Sequence, residues 1–174
     1  MSSSGRSIAL TSLAFLAALA VALVFLPRPA DATAFAVNNT ADVVDAAPGD
    51  GVCATVGGGC TLRAAIQEAN ADPGGDTITL PAGTYKFSLG SAGEDENAGA
   101  TGDLDITDYL SINGAGAADT IIDGEALDRV FHVRLASGTV SISGVTITDG
   151  RSPNSDPSPS GGGIYNELAG ALTI

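Results

Sequence analysis

The order of apolar and polar positions divides the chain into three parts. An apolar run at residues 8–26 comes first, a helical pattern follows at residues 61–70, and strand-like alternation continues from residue 76 onward. The last two patterns differ because a helix repeats about every 3.6 residues, whereas a strand turns successive side chains to opposite faces. The chain therefore combines one short helix with many short strands.

The apolar run has the features of an export signal. Arg6 precedes it, two prolines end it, and small residues at A-x-A spacing follow at 30–32 and 32–34. This order is typical of a secretory signal peptide, although the run is also close to the minimum length of a membrane span. We predict a signal peptide at residues 1–34, with an uncleaved N-terminal anchor as the alternative. After cleavage the protein would be secreted or held at the cell surface or outer membrane, with no membrane contact of its own.

The helical pattern predicts the one helix of the exported part. Its apolar face would consist of Leu62, Ala65, Ile66 and Ala69. Thr61 can cap its first turn, and an Asp-Pro-Gly-Gly sequence at 72–75 ends it. We predict that residues 35–75 form an N-terminal cap whose helix covers the first strands. Arg63 falls on the polar side, where we expect it to pair with acidic residues near the two cysteines.

The strand-like segments resemble one another at a long spacing. They contain the apolar positions Ile78/Leu80, Tyr85/Phe87, Leu104/Ile106, Leu110/Ile112, Ile121/Ile122, Phe131/Val133, Val140/Ile142, Val145/Ile147 and Leu172/Ile174. Leu110, Val140 and Leu172 begin matching segments, offset by 30 and then 32 residues, and residues 120–124 match 145–150. Such a repeat indicates an all-β solenoid, a parallel β-helix at residues 76–174, with a β-sandwich as the alternative.

The last matching segment stops early. Its counterpart at 139–142 runs on into another strand, whereas nothing follows Ile174. We therefore expect the β-helix at 76–174 to be C-terminally incomplete and to be joined by further coils downstream.

Cys53 and Cys60 are the only cysteines, and six residues rich in glycine separate them. In an oxidising compartment such a pair favours a disulfide. Free thiols are one alternative. A metal site is another, but the sole histidine, His132, is far away in sequence.

The N-terminal motifs resemble a known signature. The sequence Cys-Thr-Leu-Arg-Ala-Ala-Ile at 60–66, with Gly-Asp-Gly-Val-Cys at 49–53, resembles the CSLREA-domain signature of exported bacterial proteins. The family's Ser is Thr61 here, which still caps a helix, and its Glu is Ala64. Without that Glu the reciprocal half of a capping box is lost.

Later segments extend the resemblance to most of the exported chain. Residues 76–85 and 101–106 are similar to early coils of such proteins, and 161–166 resembles the Gly-Gly-Ile motif of polymorphic outer-membrane protein repeats. The resemblance implies a right-handed parallel β-helix of the pectin-lyase-like superfamily. The signature marks architecture and export, and it carries no assigned catalytic residues.

The net charge and the aromatic content of the chain limit the kinds of partner that it could bind. The formal net charge is -13, which excludes the basic face that nucleic acid binding requires. It also disfavours direct capture of an acidic polysaccharide, unless a divalent cation bridges the two. Tryptophan is absent, so sugar stacking would depend on Tyr109 and Tyr165, which we expect to be exposed.

Acidic residues offer one candidate ion site. They are Asp95, Asp103, Asp105 and Asp108, whose carboxylate oxygens could bind Ca²⁺. Their spacing is not that of an EF-hand loop, and a solvated acidic loop is the alternative. No other cofactor is indicated.

His132 is the other candidate for chemistry, between Arg129 and Arg134. If Phe131 and Val133 point inward, His132 points outward, where we expect an ordinary surface residue. The sequence therefore predicts no catalytic residue. It favours a non-catalytic exported scaffold for adhesion or contact with a polysaccharide or cell-surface component. The alternative is a polysaccharide lyase or glycoside hydrolase whose active site lies on coils missing from this chain.

Overall fold

The computed structural model describes residues 31–91, 97–152 and 161–174. The apolar run at 8–26, and with it the predicted signal peptide up to residue 30, lies outside the described residues. In the part that is described, no helix has the length and apolar character needed to cross a membrane.

The described residues are mostly strands with a single helix, so the predicted all-β class is confirmed. The elements are β1 (Ala34–Ala36), α1 (Leu62–Ala71), β2 (Asp76–Leu80), β3 (Gly83–Lys86), β4 (Leu104–Ile106), β5 (Leu110–Gly114), β6 (Thr120–Asp123), β7 (Phe131–Val133), β8 (Thr139–Ser143), β9 (Thr146–Thr148), β10 (Ile164–Asn166) and β11 (Ala171–Thr173).

The strands form three sheets in which the described neighbours all run parallel. Sheet A has the order β1-β2-β5-β8-β11, sheet B the order β3-β6-β9, and sheet C the order β10-β7-β4. From β2 onward the chain visits sheets A, B and C in turn. From β2 to β8, each strand therefore pairs with the strand three elements later in the chain.

Alternating apolar residues meet between the sheets. In sheet A the register aligns Ile78 with Ile112 and Ile112 with Ile142, and none of the three is exposed to solvent. Phe131 of sheet C and Ile122 of sheet B are equally buried. Burying each such side chain contributes about 1.5–3 kcal/mol relative to leaving it in water, so this stack is the main source of stability.

The sequence repeat predicted part of the register correctly. Leu110 pairs with Val140, and Val140 pairs with Leu172, as the repeat indicated. In the second match Ile122 pairs with Ile147, but the ladder sets Asp123 beside Thr148, so the two Asp-Gly turns are offset by one residue. Asp149 is an extra residue that the turn accommodates in the left-handed region, at φ 48°. Strand β10 was recognised only as a glycine motif.

The cap helix begins and ends close to the predicted residues. Thr61 caps it by accepting a hydrogen bond from the Ala64 amide, and Asp72 follows its last turn. Cys53 and Cys60 form a disulfide with Cα atoms 5.1 Å apart. Closing so short a loop stabilises the folded chain by about 2–3 kcal/mol.

The polar side of α1 is buried, and Arg63 on that side pairs with an acidic residue of the 35–75 segment, Asp42. Arg63, Gln67 and Glu68 are buried together with the apolar residues. They face residues 42–51 and 97–103 of the connecting segments, to which their side chains donate or from which they accept hydrogen bonds. The helix is thus enclosed on both sides.

Candidate functional site

The register of sheet C places three polar side chains in one row. Asp105 of β4 pairs with His132 of β7, and His132 pairs with Tyr165 of β10. Each of these residues sits between two residues whose side chains face the other side of its strand. The row therefore lies on the outer face of the sheet, as predicted for His132.

Burial of the row is the unexpected feature. His132 is 4% exposed and Asp105 is not exposed at all, so the prediction of a surface histidine was wrong. Part of the cover is the segment 97–103, which folds back so that the Gly99 amide donates to Asp105 Oδ2 at 3.0 Å. A side chain on the outer face of sheet C, such as His132, is therefore not necessarily exposed to solvent.

Further buried charged residues surround the row. We call Asp103, Asp105, Asp128, Arg129 and His132 the outer cluster; all five are buried. It holds three carboxylates and one guanidinium besides the imidazole. Buried carboxylates are rarely left without compensation. The cluster therefore carries an excess of negative charge unless protons or a cation neutralise it.

His132 lies between carboxylates on both sides of its ring. Nδ1 is 3.2 Å from Asp105 Oδ1 and 3.8 Å from Asp103 Oδ2, while Nε2 is 3.2 Å from Glu167 Oε2. Burial alone would lower the pKa of the imidazole, but Asp105 and Asp103 outweigh it, and the pKa is raised above its ordinary value. The ring also stacks on Tyr165 at 5.1 Å between centroids.

Asp103 is the most strongly perturbed carboxyl group. Burial raises its pKa to about 7, helped by the negative charges of Asp105 and Asp128 and opposed by His132 and Arg129. The Arg129 Nη1 atom is 3.4 Å from Asp103 Oδ2, and the guanidinium also lies over the Tyr165 ring at 4.7 Å.

The cap helix holds the backbone of this site in place. Arg63 Nη1 donates to the Asp103 carbonyl at 3.2 Å, and Asn70 Nδ2 donates to the Asp105 carbonyl at 2.8 Å. On the other side, Gly102 at φ 63° comes so close to Asp128 that an added Cβ would lie 2.7 Å from its Oδ2. Position 102 therefore favours glycine for its left-handed conformation, and any larger residue would also displace the Asp128 carboxylate.

Glu167 connects the cluster to the surface. Arg134 Nε lies 3.0 Å from Glu167 Oε2, the same oxygen that faces His132. The hydrogen bond from Arg134 lowers the pKa of Glu167. Glu167 therefore remains ionised beside the imidazole.

The structure separates the four predicted calcium ligands. Asp103 and Asp105 meet in the outer cluster, but Asp108 is elsewhere, close enough to Asp76 to help burial raise the pKa of that residue. Asp95 lies outside the described residues. Of the two tyrosines expected to be exposed, Tyr109 is 43% exposed, while Tyr165 is half-buried against the cluster.

Three members of the cluster offer ligand atoms within 4.8 Å of one another: Asp103, Asp105 and His132. Sequence reasoning considered these residues separately, the aspartates as calcium ligands and the histidine as surface. Their shared register in sheet C was the signal that could have joined them.

Comparison of the chain with protein-family models, with curated proteins and with solved structures found no match. The resemblance to the CSLREA signature therefore stays a prediction.

Proposed function

We propose that the protein is an exported right-handed parallel β-helix whose sheet A is a non-catalytic scaffold for contact with a polysaccharide. The observation that carries this proposal is the regular row of small polar side chains along the outer face of sheet A. The fold, the site and the charge each add support.

The path of the chain supports the β-helix. Consecutive strands enter sheets A, B and C in turn, and the described strand pairs are parallel. A β-sandwich is built from antiparallel sheets, which would pair the strands differently. The right hand follows from the general preference of crossover connections between parallel strands.

The outer face of sheet A presents two ladders. The first consists of Thr77, Ser111, Ser141 and Thr173, and the second of Thr79, Asn113 and Ser143. Neighbouring rungs are about 4.8 Å apart because that is the spacing of paired strands. Ser143 Oγ donates to Asn113 Oδ1 at 3.1 Å. A flat array of hydroxyl and amide groups can hydrogen-bond the hydroxyls of an extended sugar chain.

The buried state of the outer cluster supports a non-catalytic role. Hydrolysis of a glycosidic bond needs two carboxyl groups that flank the bond in an open cleft. Asp103 is 1% exposed and Asp105 is fully buried, so neither can reach a polymer. The strongly acidic charge further favours a neutral polysaccharide over an acidic one.

A depletion assay tests this function. The purified protein is mixed with insoluble cellulose or β-1,3-glucan, and with cross-linked pectin as the acidic comparison. We expect binding to a neutral glucan that weakens about tenfold or more, over 1.4 kcal/mol, in Ser141→Lys. The matched control is Thr84→Lys, an exposed position of β3 in sheet B, which should bind as the wild type does.

Three results would overturn the proposal. They are no binding to any of these polymers, equal loss in both variants, and release of unsaturated uronides or reducing sugars. The last of these would favour an enzyme.

A further inference from the structure

We propose that Asp103, Asp105 and His132 bind one divalent transition-metal ion, of which Zn²⁺ is the probe, as a structural metal centre of sheet C. This proposal does not depend on polysaccharide binding. It rests on which atoms of the outer cluster have hydrogen-bond partners and which do not.

The unpartnered atoms coincide with a ligand set. Asp105 Oδ2 accepts from the Gly99 amide and Asp103 Oδ2 accepts from Arg129, so one oxygen of each carboxylate is used. The other oxygens, Asp103 Oδ1 and Asp105 Oδ1, have no hydrogen-bond partner, and neither does His132 Nδ1. Nδ1 is only 3.2 Å from Asp105 Oδ1, yet the two atoms are not aligned as donor and acceptor.

Such atoms are costly unless something binds them. A buried polar atom without a partner costs about 1–3 kcal/mol, and a charged one costs more. The three residues that carry them, Asp103, Asp105 and His132, each offer a ligand atom within 4.8 Å of the others, and each side chain is at least nine-tenths buried. A cation placed among them would satisfy all three and would offset the excess of carboxylates over Arg129.

The far side of the imidazole supports the same assignment. A histidine that binds a metal through one ring nitrogen usually gives the other N–H to a carboxylate, which orients the ring. Nε2, like Nδ1, has no aligned hydrogen-bond partner, but it lies 3.2 Å from Glu167 Oε2, and Arg134 holds that carboxylate beside the ring. Glu167 is therefore a positioning residue for His132.

The ligand types select the metal. Calcium takes six to eight oxygen ligands, whereas this set contains a nitrogen and is packed tightly. One imidazole with two carboxylates suits Zn²⁺ and related first-row ions. Because the ligands are buried, the ion would enter as the chain folds and would tie β4 to β7.

Metal content is the first test. The untagged protein is refolded with and without Zn²⁺, dialysed against a weak chelator, and analysed for bound zinc by mass spectrometry. We expect one zinc per chain in the wild type and in Asp108→Asn, a control carboxylate outside the cluster. Asp105→Asn and His132→Gln should lose it, and Glu167→Gln should bind about tenfold more weakly or worse.

Nuclear magnetic resonance decides the matter even if a variant fails to fold. The chain has a single histidine, so a ¹⁵N-histidine label reports His132 alone. Zinc should shift the Nδ1 resonance and leave Nε2 protonated. Two results would overturn the proposal: a wild type without stoichiometric zinc and with both nitrogens protonated, which marks a buried imidazolium, or zinc binding that survives in His132→Gln.

Discussion

Two clusters of buried charged groups in the described residues, one on the cap side and the other in the outer cluster, differ in how completely they are hydrogen-bonded. On the cap side, Arg63 makes bonds with both Asp42 oxygens and donates to the carbonyls of Gly99, Gly102 and Asp103. Its guanidinium also lies over the ring of Phe87, which follows β3, at 5.3 Å from the ring centroid. In the outer cluster, by contrast, Asp103, Asp105 and His132 each have a side-chain atom without a hydrogen-bond partner.

The acidic groups show the same contrast. Both oxygens of Glu68 accept backbone N–H bonds, from Gly49 at 2.8 Å and Gly51 at 2.9 Å. Asp103 and Asp105 each have one such oxygen satisfied and one not. A complete set of partners needs no ligand and indicates a structural role. An incomplete set at a point of convergence indicates that something else binds there.

The largest expected effect comes from breaking the complete set. Arg63→Met keeps the length of the side chain but leaves the buried Asp42 carboxylate without its counter-ion, and it removes the Arg63 donor from the carbonyls of Gly102 and Asp103. We expect the free energy of unfolding to fall by about 3–5 kcal/mol, measured by urea denaturation.

The control is the exposed cation Lys86, which pairs with Asp123 and Glu125 at the surface. Lys86→Met should unfold nearly as the wild type does, because exposed pairs are screened by water. If both variants lost the same free energy of unfolding, the burial of Arg63 would not explain its contribution to stability.

The next largest effect is the gain in stability expected when zinc binds the outer cluster. If the outer cluster binds zinc only in the folded state, zinc at a hundredfold over its dissociation constant should raise the free energy of unfolding by about 2.7 kcal/mol. Asp105→Asn should gain nothing. Arg63→Met should gain less than the wild type, because the variant lacks the hydrogen bond from Arg63 to the Asp103 carbonyl that helps to hold the 97–103 segment in place.

Urea unfolding with and without zinc gives all three values. A wild-type gain that also appears in Asp105→Asn would assign the zinc effect to surface carboxylates and would remove the contrast between the two regions.

The sequence predicts what depends on local periodicity. Helix α1 and its cap at Thr61 follow from spacing, and the pairing of Leu110 with Val140 follows from the repeat. It also predicts that His132 leaves the inner face, because side chains alternate along a strand. It does not predict burial, because that depends on the 97–103 segment and α1, which approach from distant parts of the chain.

One signal in the sequence was available. The three segments of sheet C, Leu104-Asp105-Ile106, Phe131-His132-Val133 and Ile164-Tyr165-Asn166, pair residue for residue. Extending the repeat to them would have aligned the aspartate, the histidine and the tyrosine. Their offsets of 27 and 33 residues hide this alignment, because turns of unequal length separate the strands.

The smallest expected effect tests whether burial of Glu68 still destabilises its ionised form, although both of its carboxylate oxygens accept hydrogen bonds. Burial raises the pKa of Glu68 above its ordinary value of 4.5, although the amides of Gly49 and Gly51 act in the opposite direction. The folded chain therefore holds this proton more tightly than the unfolded chain. As the pH rises from 4.5 through the raised pKa, the folded state must give up a proton that the unfolded state has already lost, and stability declines.

Glu68→Gln removes this titration and supplies the comparison. Its amide cannot accept from both glycine N–H groups, so the variant loses one of these hydrogen bonds, and position 68 no longer titrates. We expect the advantage of the wild type over Glu68→Gln to shrink as the pH rises from 4.5, and then to stay constant above the raised pKa. Urea unfolding of both proteins between pH 4 and pH 8 gives the difference. A difference that grows with pH would mean that the two amides outweigh burial, and that this carboxylate is stabilised rather than penalised in the folded chain.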